Sequence, residues 1–367
     1  MIKIAHVISS LKKGGAEEVL CSLVEQLDPD QFVSYVLYFH DGPHVDRLRH
    51  AGIKLYHIRG LLCMYDPLFW CRLIVTLYHI KPDCIHALLW SAQCASRAIG
   101  RLLRIPVISA YHNQATLESG MRLFLDRITL NCTTNIIAVS RTVAQSITKA
   151  HSFIPASSIT TIANGIDTAR VEKYVSTHVN ISKKDLNIPE MSKVIGTVGR
   201  LHKVKNHTLL LQAYALVYKQ YPNSYLLLLG DGPEQDSLTQ YAQRMNLHMQ
   251  VIFITHKQAY PYYSLFDCFV LASAQEGMSM ALLEAHYFKC ASVVAHTTLD
   301  HDVITHGHNG LLVAPDNAPA IANAIMSVLS NKTLQRNLGN NAHTHVLEKH
   351  TIETMVQQYE ELFKESA

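Results

Sequence analysis

No run of eighteen apolar residues occurs in the 367-residue chain, so the sequence offers no membrane-spanning helix. The opening Met1-Ile2-Lys3-Ile4-Ala5-His6-Val7-Ile8 lacks the length and cleavage site of a secretory leader, and a cytoplasmic protein is the expectation. The eight cysteines contain no C-x-x-C pair, and several fall inside apolar runs, which reads as buried free thiols. Without an H-E-x-x-H pattern, the clusters His301, His306, His308 and His343, His345, His350 give no reason to expect a metal. The dinucleotide fingerprint G-x-G-x-x-G is absent as well. No block of like charge is long enough to suggest nucleic acid. The net charge of +3 comes from an excess of basic residues before position 175, which points instead to an acidic substrate or an anionic membrane surface.

What is present is a chain with 48% hydrophobic and 17% charged residues, long enough for two domains. Short apolar runs alternate with helical patterns throughout. In the first half the expected strands are 2–9, 32–39, 54–58, 84–88, 107–110, 136–139 and 159–162. In the second they are 194–198, 225–229, 251–254, 268–272, 292–295 and 311–313. Such alternation predicts α/β domains with parallel sheets covered on both faces, whose ligands sit at the carboxyl ends of the strands. The polar stretch Thr168 to Ser192 has no sustained apolar period and is read as the linker. The expected division is 1–170 for the first domain, 171–192 for the linker, 193–348 for the second domain and 349–367 for a terminal helix.

The chemistry concentrates at strand ends. After 268–272, Glu276 is expected at a strand's carboxyl end, with Gly277, Met278, Ser279 and Met280 opening a helix whose free amides and dipole suit an anion. Glu284 follows eight positions later, two turns along the helix and on roughly the same face as Glu276. Gly14 and Gly15 follow the first strand, where a ligand's phosphate or sugar can approach the backbone closely. Arg200 and Lys205 lie in the first loop of the second half, two cations able to neutralise a diphosphate. His112 and Ser140 stand in loops after the strands that end at 110 and 139. The apolar stretch Leu61 to Trp70 reads as packing and Arg97, Arg101 and Arg104 as a solvated helix face, or the two together as a membrane-facing or acceptor-facing surface of the basic half.

Six pieces together resemble the retaining glycosyltransferases of family 4. They are Gly14-Gly15-Ala16-Glu17, Asn164-Gly165-Ile166-Asp167, Gly199-Arg200-Leu201 with Lys205, Gly230-Asp231-Gly232-Pro233, Glu276-Gly277 with Glu284, and Asn309-Gly310-Leu311-Leu312-Val313. The resemblance implies the GT-B fold, two Rossmann-like doubly wound domains facing across a cleft, the first on the acceptor side and the second binding the donor. It implies that Arg200 and Lys205 bind the diphosphate of a nucleotide-sugar, aided by the amides of residues 277–280. Glu276 would hold sugar hydroxyls and Glu284 the ribose. Gly14 and Gly15 would close over the donor, and His112 would lie near the reacting carbon. The last helix would cross back onto the first domain.

The implied reaction is metal-independent front-face transfer of a hexose or N-acetylhexosamine, from a UDP-sugar by preference, to a glycan or lipid-linked acceptor. Two alternatives are a non-hydrolysing UDP-sugar epimerase of the same fold and a catalytically silent sugar-nucleotide-binding protein. Two departures from the family's pattern stand out. Thr255 replaces a glycine, and 297–302 replaces a Gly-Gly loop with a stretch containing Asp300-His301-Asp302. That acid-x-acid triplet lies at the wrong place in the chain for the metal-dependent transferases that use one, so no metal is expected.

Overall fold

A computed structural model of the chain describes residues 1–60, 66–114, 120–178, 181–295 and 302–367. Residues 61–65 of the apolar stretch and 297–301 of the altered loop, including Asp300 and His301, lie outside these described residues. The chain divides into two compact units. The first comprises Met1–Gly165 with Ile352–Ala367, and the second Ile166–Thr351.

The first unit is built on a seven-stranded sheet. Its strands are β1 (Ile2–Ser10), β2 (Phe32–His40), β3 (Lys54–His57), β4 (Cys84–Leu88), β5 (Val107–Tyr111), β6 (Asn135–Ala138) and β7 (Ile159–Thr161). The order is β3-β2-β1-β4-β5-β6-β7, and all pairs are parallel. In β1, which pairs Ile4 with Cys84 and Ile2 with Phe32, the residues Ile4 to Val7 are all buried. That continuous burial is why central parallel strands read as unbroken apolar runs.

The second unit has six parallel strands in the order β10-β9-β8-β11-β12-β13. They are β8 (Lys193–Val198), β9 (Ser224–Leu229), β10 (Val251–Ile254), β11 (Cys268–Leu271), β12 (Ser292–Ala295) and β13 (Leu311–Val313). Each sheet thus reverses its direction of growth beside its first strand, which is the doubly wound arrangement and the place where such sheets bind ligands. All thirteen expected strands are present.

The stretch read as a linker is partly helical and belongs to the second unit. Asp167 caps the helix Thr168–Thr177 by accepting from the Arg170 amide at 2.9 Å. Glu172 accepts from the Tyr287 hydroxyl at 2.9 Å, and the ring of Tyr174 meets that of Tyr260. The helix lacks an apolar period because Val171 is its one buried residue among the ten.

The last helix, Ile352–Ser366, packs within the first unit. It buries Met355, Tyr359, Leu362 and Phe363, and the Phe363 ring lies against His6, Phe32 and His86. Beneath it, His6 and His86 share a hydrogen bond between their Nδ1 atoms at 3.0 Å, so one ring donates and the other accepts.

Candidate active site

In the second unit the loop after β8 is fixed by close backbone packing. The Leu201 amide donates to the Asp231 carbonyl at 2.9 Å, and the Glu234 amide to the Leu201 carbonyl at 3.0 Å. A Cβ at Gly230 would lie 2.0 Å from the Gly199 carbonyl oxygen, and one at Gly232 would lie 2.2 Å from that of Leu201. Gly230 also has φ +143°, so the Gly-Asp-Gly-Pro loop needs glycine twice to seat the loop carrying Arg200.

His207, which the motif reading missed, supports the same loop. Its Nε2 lies 3.3 Å from the Arg200 carbonyl, and burial pushes its pKa down to about 4, so the neutral ring donates. The Arg200 side chain itself is exposed.

Lys205 leaves this loop and pairs with Glu276 Oε1, to which Ser273 Oγ also donates at 2.7 Å. The Ala274 amide donates to the Val204 carbonyl at 2.9 Å and holds the two loops edge to edge. Lys205 and Glu276 are therefore brought together at the carboxyl ends of the adjacent strands β8 and β11.

The relation expected between the two glutamates is different. The helix begins at Met280 and runs to Tyr287, with Ser279 as its cap and Glu276, Gly277 and Met278 in the loop before it. Glu276 is not helical, so eight-residue helical spacing does not set its direction relative to Glu284. The extra loop residues let the Glu276 carboxylate reach Lys205. Glu284 is instead held by the buried Tyr263, whose hydroxyl lies 2.7 Å from Glu284 Oε2 and 3.2 Å from the Ala281 carbonyl. Burial, then the nearby carboxylate, push the Tyr263 pKa well above its ordinary value, so this hydroxyl remains a donor.

In the first unit, Gly14 precedes the helix Gly15–Gln26 in an extended conformation. A Cβ there would lie 2.2 Å from Glu17 Oε2, because Glu17 folds back over the turn and also accepts from Ser10 Oγ at 3.1 Å. With a carboxylate already beside this helix start, the Gly14-Gly15 turn suits a ligand's hydroxyls better than its phosphates.

His112 follows β5, and both its ring nitrogens are buried without a partner among the described residues. Burial pushes its pKa down to about 4. Ser140 is a helix cap, accepting from the Val143 amide at 3.2 Å.

Arg97 is not on a solvated face. It is fully buried and donates to Asp126 Oδ1 at 2.6 Å, to the Tyr111 hydroxyl at 2.8 Å and to Ser109 Oγ at 3.0 Å, while Arg101 and Arg104 are exposed. Among the described residues no three His, Cys, Asp or Glu side chains converge as a metal ligand set.

Comparison with known proteins accounts for both halves of the chain. Residues 13–170 match the family described as Glycosyltransferase Family 4, and residues 179–345 match Glycosyl transferases group 1. The chain is a family-4-type glycosyltransferase.

Among the relatives of this transferase is the Escherichia coli UDP-Gal:alpha-D-GlcNAc-diphosphoundecaprenol alpha-1,3-galactosyltransferase. It is 24% identical over 348 residues, covering 91% of this chain and 89% of that one. The Bacillus anthracis N-acetyl-alpha-D-glucosaminyl L-malate synthase is 26% identical over 292 residues, covering 78% and 74%. Among solved structures, Anabaena HepE in complex with UDP-glucose superimposes with a TM-score of 0.85 at 22% identity, covering 100% of both chains. That likeness gives the fold, GT-B with two Rossmann-like domains.

Proposed function

We propose that this glycosyltransferase moves a hexose or N-acetylhexosamine, with retention, from a UDP-sugar to a glycan or lipid-linked acceptor. The pairing of Lys205 with Glu276, beside the loop that carries Arg200, is the observation on which the reading rests. It sets an ammonium next to a carboxylate where a nucleotide-sugar has its diphosphate next to its sugar hydroxyls. UDP-sugar relatives and the undecaprenol-linked acceptor in the name of the E. coli relative support the choice of donor and acceptor class.

In this reading Arg200 and Lys205 neutralise the diphosphate, and the amides of Gly277, Met278, Ser279 and Met280 add the positive end of the capped helix. Glu276 accepts from sugar hydroxyls, and Glu284, oriented by Tyr263, from the ribose. His112 and the Gly14-Gly15 turn keep the sugar-side roles that the resemblance implies.

The bond between the anomeric carbon and the phosphate oxygen breaks as an acceptor hydroxyl attacks from the same face, and its proton passes to the departing phosphate. Fixed cations stabilise the charge that develops on the leaving group, so the reaction proceeds without a divalent ion. Glu276 and Glu284, held by different partners, do not serve as a glycosidase pair.

Among the described residues no helix is long and apolar enough to cross a membrane. The exposed Met121, Phe124 and Ile128, with Arg122 and Arg127 on the same helix, support a cytoplasmic enzyme bound peripherally to the inner face of an anionic membrane.

The test is nucleotide release across UDP- and GDP-sugars with an acceptor panel, in the presence and absence of EDTA. UDP release that requires an acceptor and is lost in Glu276→Ala and Lys205→Ala supports the proposal, and undiminished turnover in both variants removes the site assignment. Interconversion of UDP-sugars without acceptor would identify an epimerase, and binding without turnover a silent binding protein.

A further inference from the structure

Four buried polar atoms of the first unit lack partners among the described residues, and their side chains line one cavity. They are Trp90 Nε1, His112 Nδ1, His112 Nε2 and Asp126 Oδ2. The cavity has a volume of about 60 Å³ and is also bordered by Leu89, Gln93, Ala110, Tyr111, Asn113 and Gln114. An unpaired buried polar atom costs roughly 1–3 kcal/mol, so a ligand that paired all four around this one small space would recover that cost.

The wall behind them is fully built. Arg97 fixes Asp126 through Oδ1 at 2.6 Å and is itself held by Ser109 and Tyr111, while Gln93 Nε2 donates to the Ala110 carbonyl at 2.7 Å. The ordering of this wall leaves Asp126 Oδ2 as an acceptor in a rigid setting.

Backbone strain falls at the same place. Leu89, between β4 and the helix Trp90–Leu103, has φ +66°, a region that residues with a Cβ rarely occupy. Leu89 and His112 both follow carboxyl ends of strands adjacent in the sheet, where this kind of sheet receives ligands.

The unpaired atoms comprise one donor in Trp90, one acceptor in Asp126, and a donor and an acceptor in the neutral imidazole of His112. A ligand matching that set must both donate and accept from adjacent atoms, which hydroxyl groups on a sugar ring do.

We propose that this cavity is a sugar-hydroxyl subsite in which Asp126 Oδ2 accepts from one hydroxyl and Trp90 Nε1 donates to another. His112 completes the set, and Arg97 acts as a positioning residue behind Asp126. The inference deepens the glycosyl-transfer reading and rests on it for the class of ligand. The sugar is either the acceptor's or the donor's.

Two tryptophans, Trp70 and Trp90, are present in the chain, so Trp70→Phe leaves Trp90 as the reporter of the cavity. In that background, Trp90 emission is titrated with methyl α-D-glucopyranoside, methyl N-acetyl-α-D-glucosaminide, UDP-glucose and UDP alone. A saturable change with a methyl glycoside assigns the subsite to the acceptor. A change with UDP-glucose that neither UDP nor the glycosides produce assigns it to the donor. In both cases Asp126→Asn weakens the binding at least tenfold.

Trp90→Phe, in the otherwise unaltered protein, removes an N–H that has no partner among the described residues and keeps the ring. It therefore leaves Tm unchanged while calorimetry shows sugar binding weakened several-fold, and it controls for any loss of folding in Asp126→Asn. No saturable response to any sugar, or a response that Asp126→Asn and Trp90→Phe leave intact, overturns the proposal. UDP-sugar turnover unaffected by both variants would overturn the subsite and leave the transferase reading standing. Sugar binding weakened by both, without turnover of any UDP-sugar, would do the reverse.

Discussion

Lys205 and Glu276, 71 positions apart, form an ion pair whose side chains are only 18% and 15% exposed. A diphosphate arriving at Lys205 competes with the carboxylate for its ammonium, and a sugar hydroxyl arriving at Glu276 competes with the ammonium for its carboxylate. In the proposed donor site each partner thus holds the other in place for the incoming nucleotide-sugar. Lys205→Met is expected to reduce kcat about 100-fold or more, the scale for removing one group that stabilises developing negative charge. Glu276→Gln should reduce kcat/KM comparably while UDP itself binds as well or better, because Lys205 is released. Steady-state kinetics and calorimetry with UDP check both, and weaker UDP binding in Glu276→Gln would contradict the pairing argument.

Tyr263→Phe removes the hydroxyl that holds Glu284 and keeps the ring that stacks on Phe288 with centroids 5.3 Å apart. The loss of one hydrogen bond to a charged group predicts a stability cost of about 1.5–3 kcal/mol by urea unfolding. If Glu284 holds the ribose, the dissociation constant for UDP should also rise several-fold. An unchanged constant would show that Tyr263 only supports the helix Met280–Tyr287.

Gly230→Ala should impair the proposed donor loop more than its small size suggests. The new methyl would meet the Gly199 carbonyl oxygen at 2.0 Å, and the residue would be held at φ +143°, so the loop carrying Arg200 must move. The expected result is a Tm lower by several degrees together with loss of the thermal shift given by UDP. A variant that melts early but retains the full UDP shift would place the loop away from the nucleotide.

The strands were legible because both faces of each parallel sheet are covered, so a buried strand such as Cys268–Leu271 appears as an apolar run regardless of its partners. Glycine motifs were legible because Gly230 and Gly232 answer to close backbone approach, a local demand that no other residue meets. The burial of Arg97 was not legible. Its spacing with Arg101 and Arg104 looks like a charged face, and only Asp126, 29 positions away, converts it into an interior ion pair. His207 and Trp90 carry no motif either, since their roles arise from a carbonyl and a cavity supplied by other parts of the chain.

Acid should destabilise the protein through its interior histidines. Burial pushes His6 and His286 down to about 3, His112 and His207 to about 4, and His86 well below its ordinary value. The unfolded chain binds protons on these rings near pH 6.5, whereas the native chain does not until the lower values are reached. Their contribution is therefore fully present above pH 6.5, is lost progressively as pH falls from 6.5 toward about 3–4, and does not change further below that. Each ring adds up to about 1.4 kcal/mol per pH unit in this window. His286→Leu removes a ring with no partner among the described residues, so urea unfolding from pH 7 to 5 should show a slope smaller by about one proton. An unchanged slope would mean that His286 becomes protonated in the native state.

The helix Met121–Thr129 turns Met121, Phe124 and Ile128 to solvent at exposures of 66%, 58% and 54%, at spacings that keep them on one side. Arg122 and Arg127 are exposed on the same helix, and the neighbouring helix Trp90–Leu103 ends with exposed Arg101 and Leu102. Its inner side is committed, since Asp126 faces Arg97, so this helix cannot bury its apolar residues by rotating. An anionic bilayer would accept both groups at once, the apolar side chains in the acyl boundary and the arginines among headgroups. Sedimentation with phosphatidylglycerol vesicles should be strong at low salt and weaker at high salt, as screening shortens the reach of the arginines. Phe124→Ser with Ile128→Ser should reduce binding at both salt concentrations by at least tenfold, since burying one such side chain contributes about 1.5–3 kcal/mol. Arg127→Gln should act mainly at low salt. If the double variant sediments like the unaltered protein, the apolar residues do not enter the bilayer, and the membrane contact is purely electrostatic or lies elsewhere.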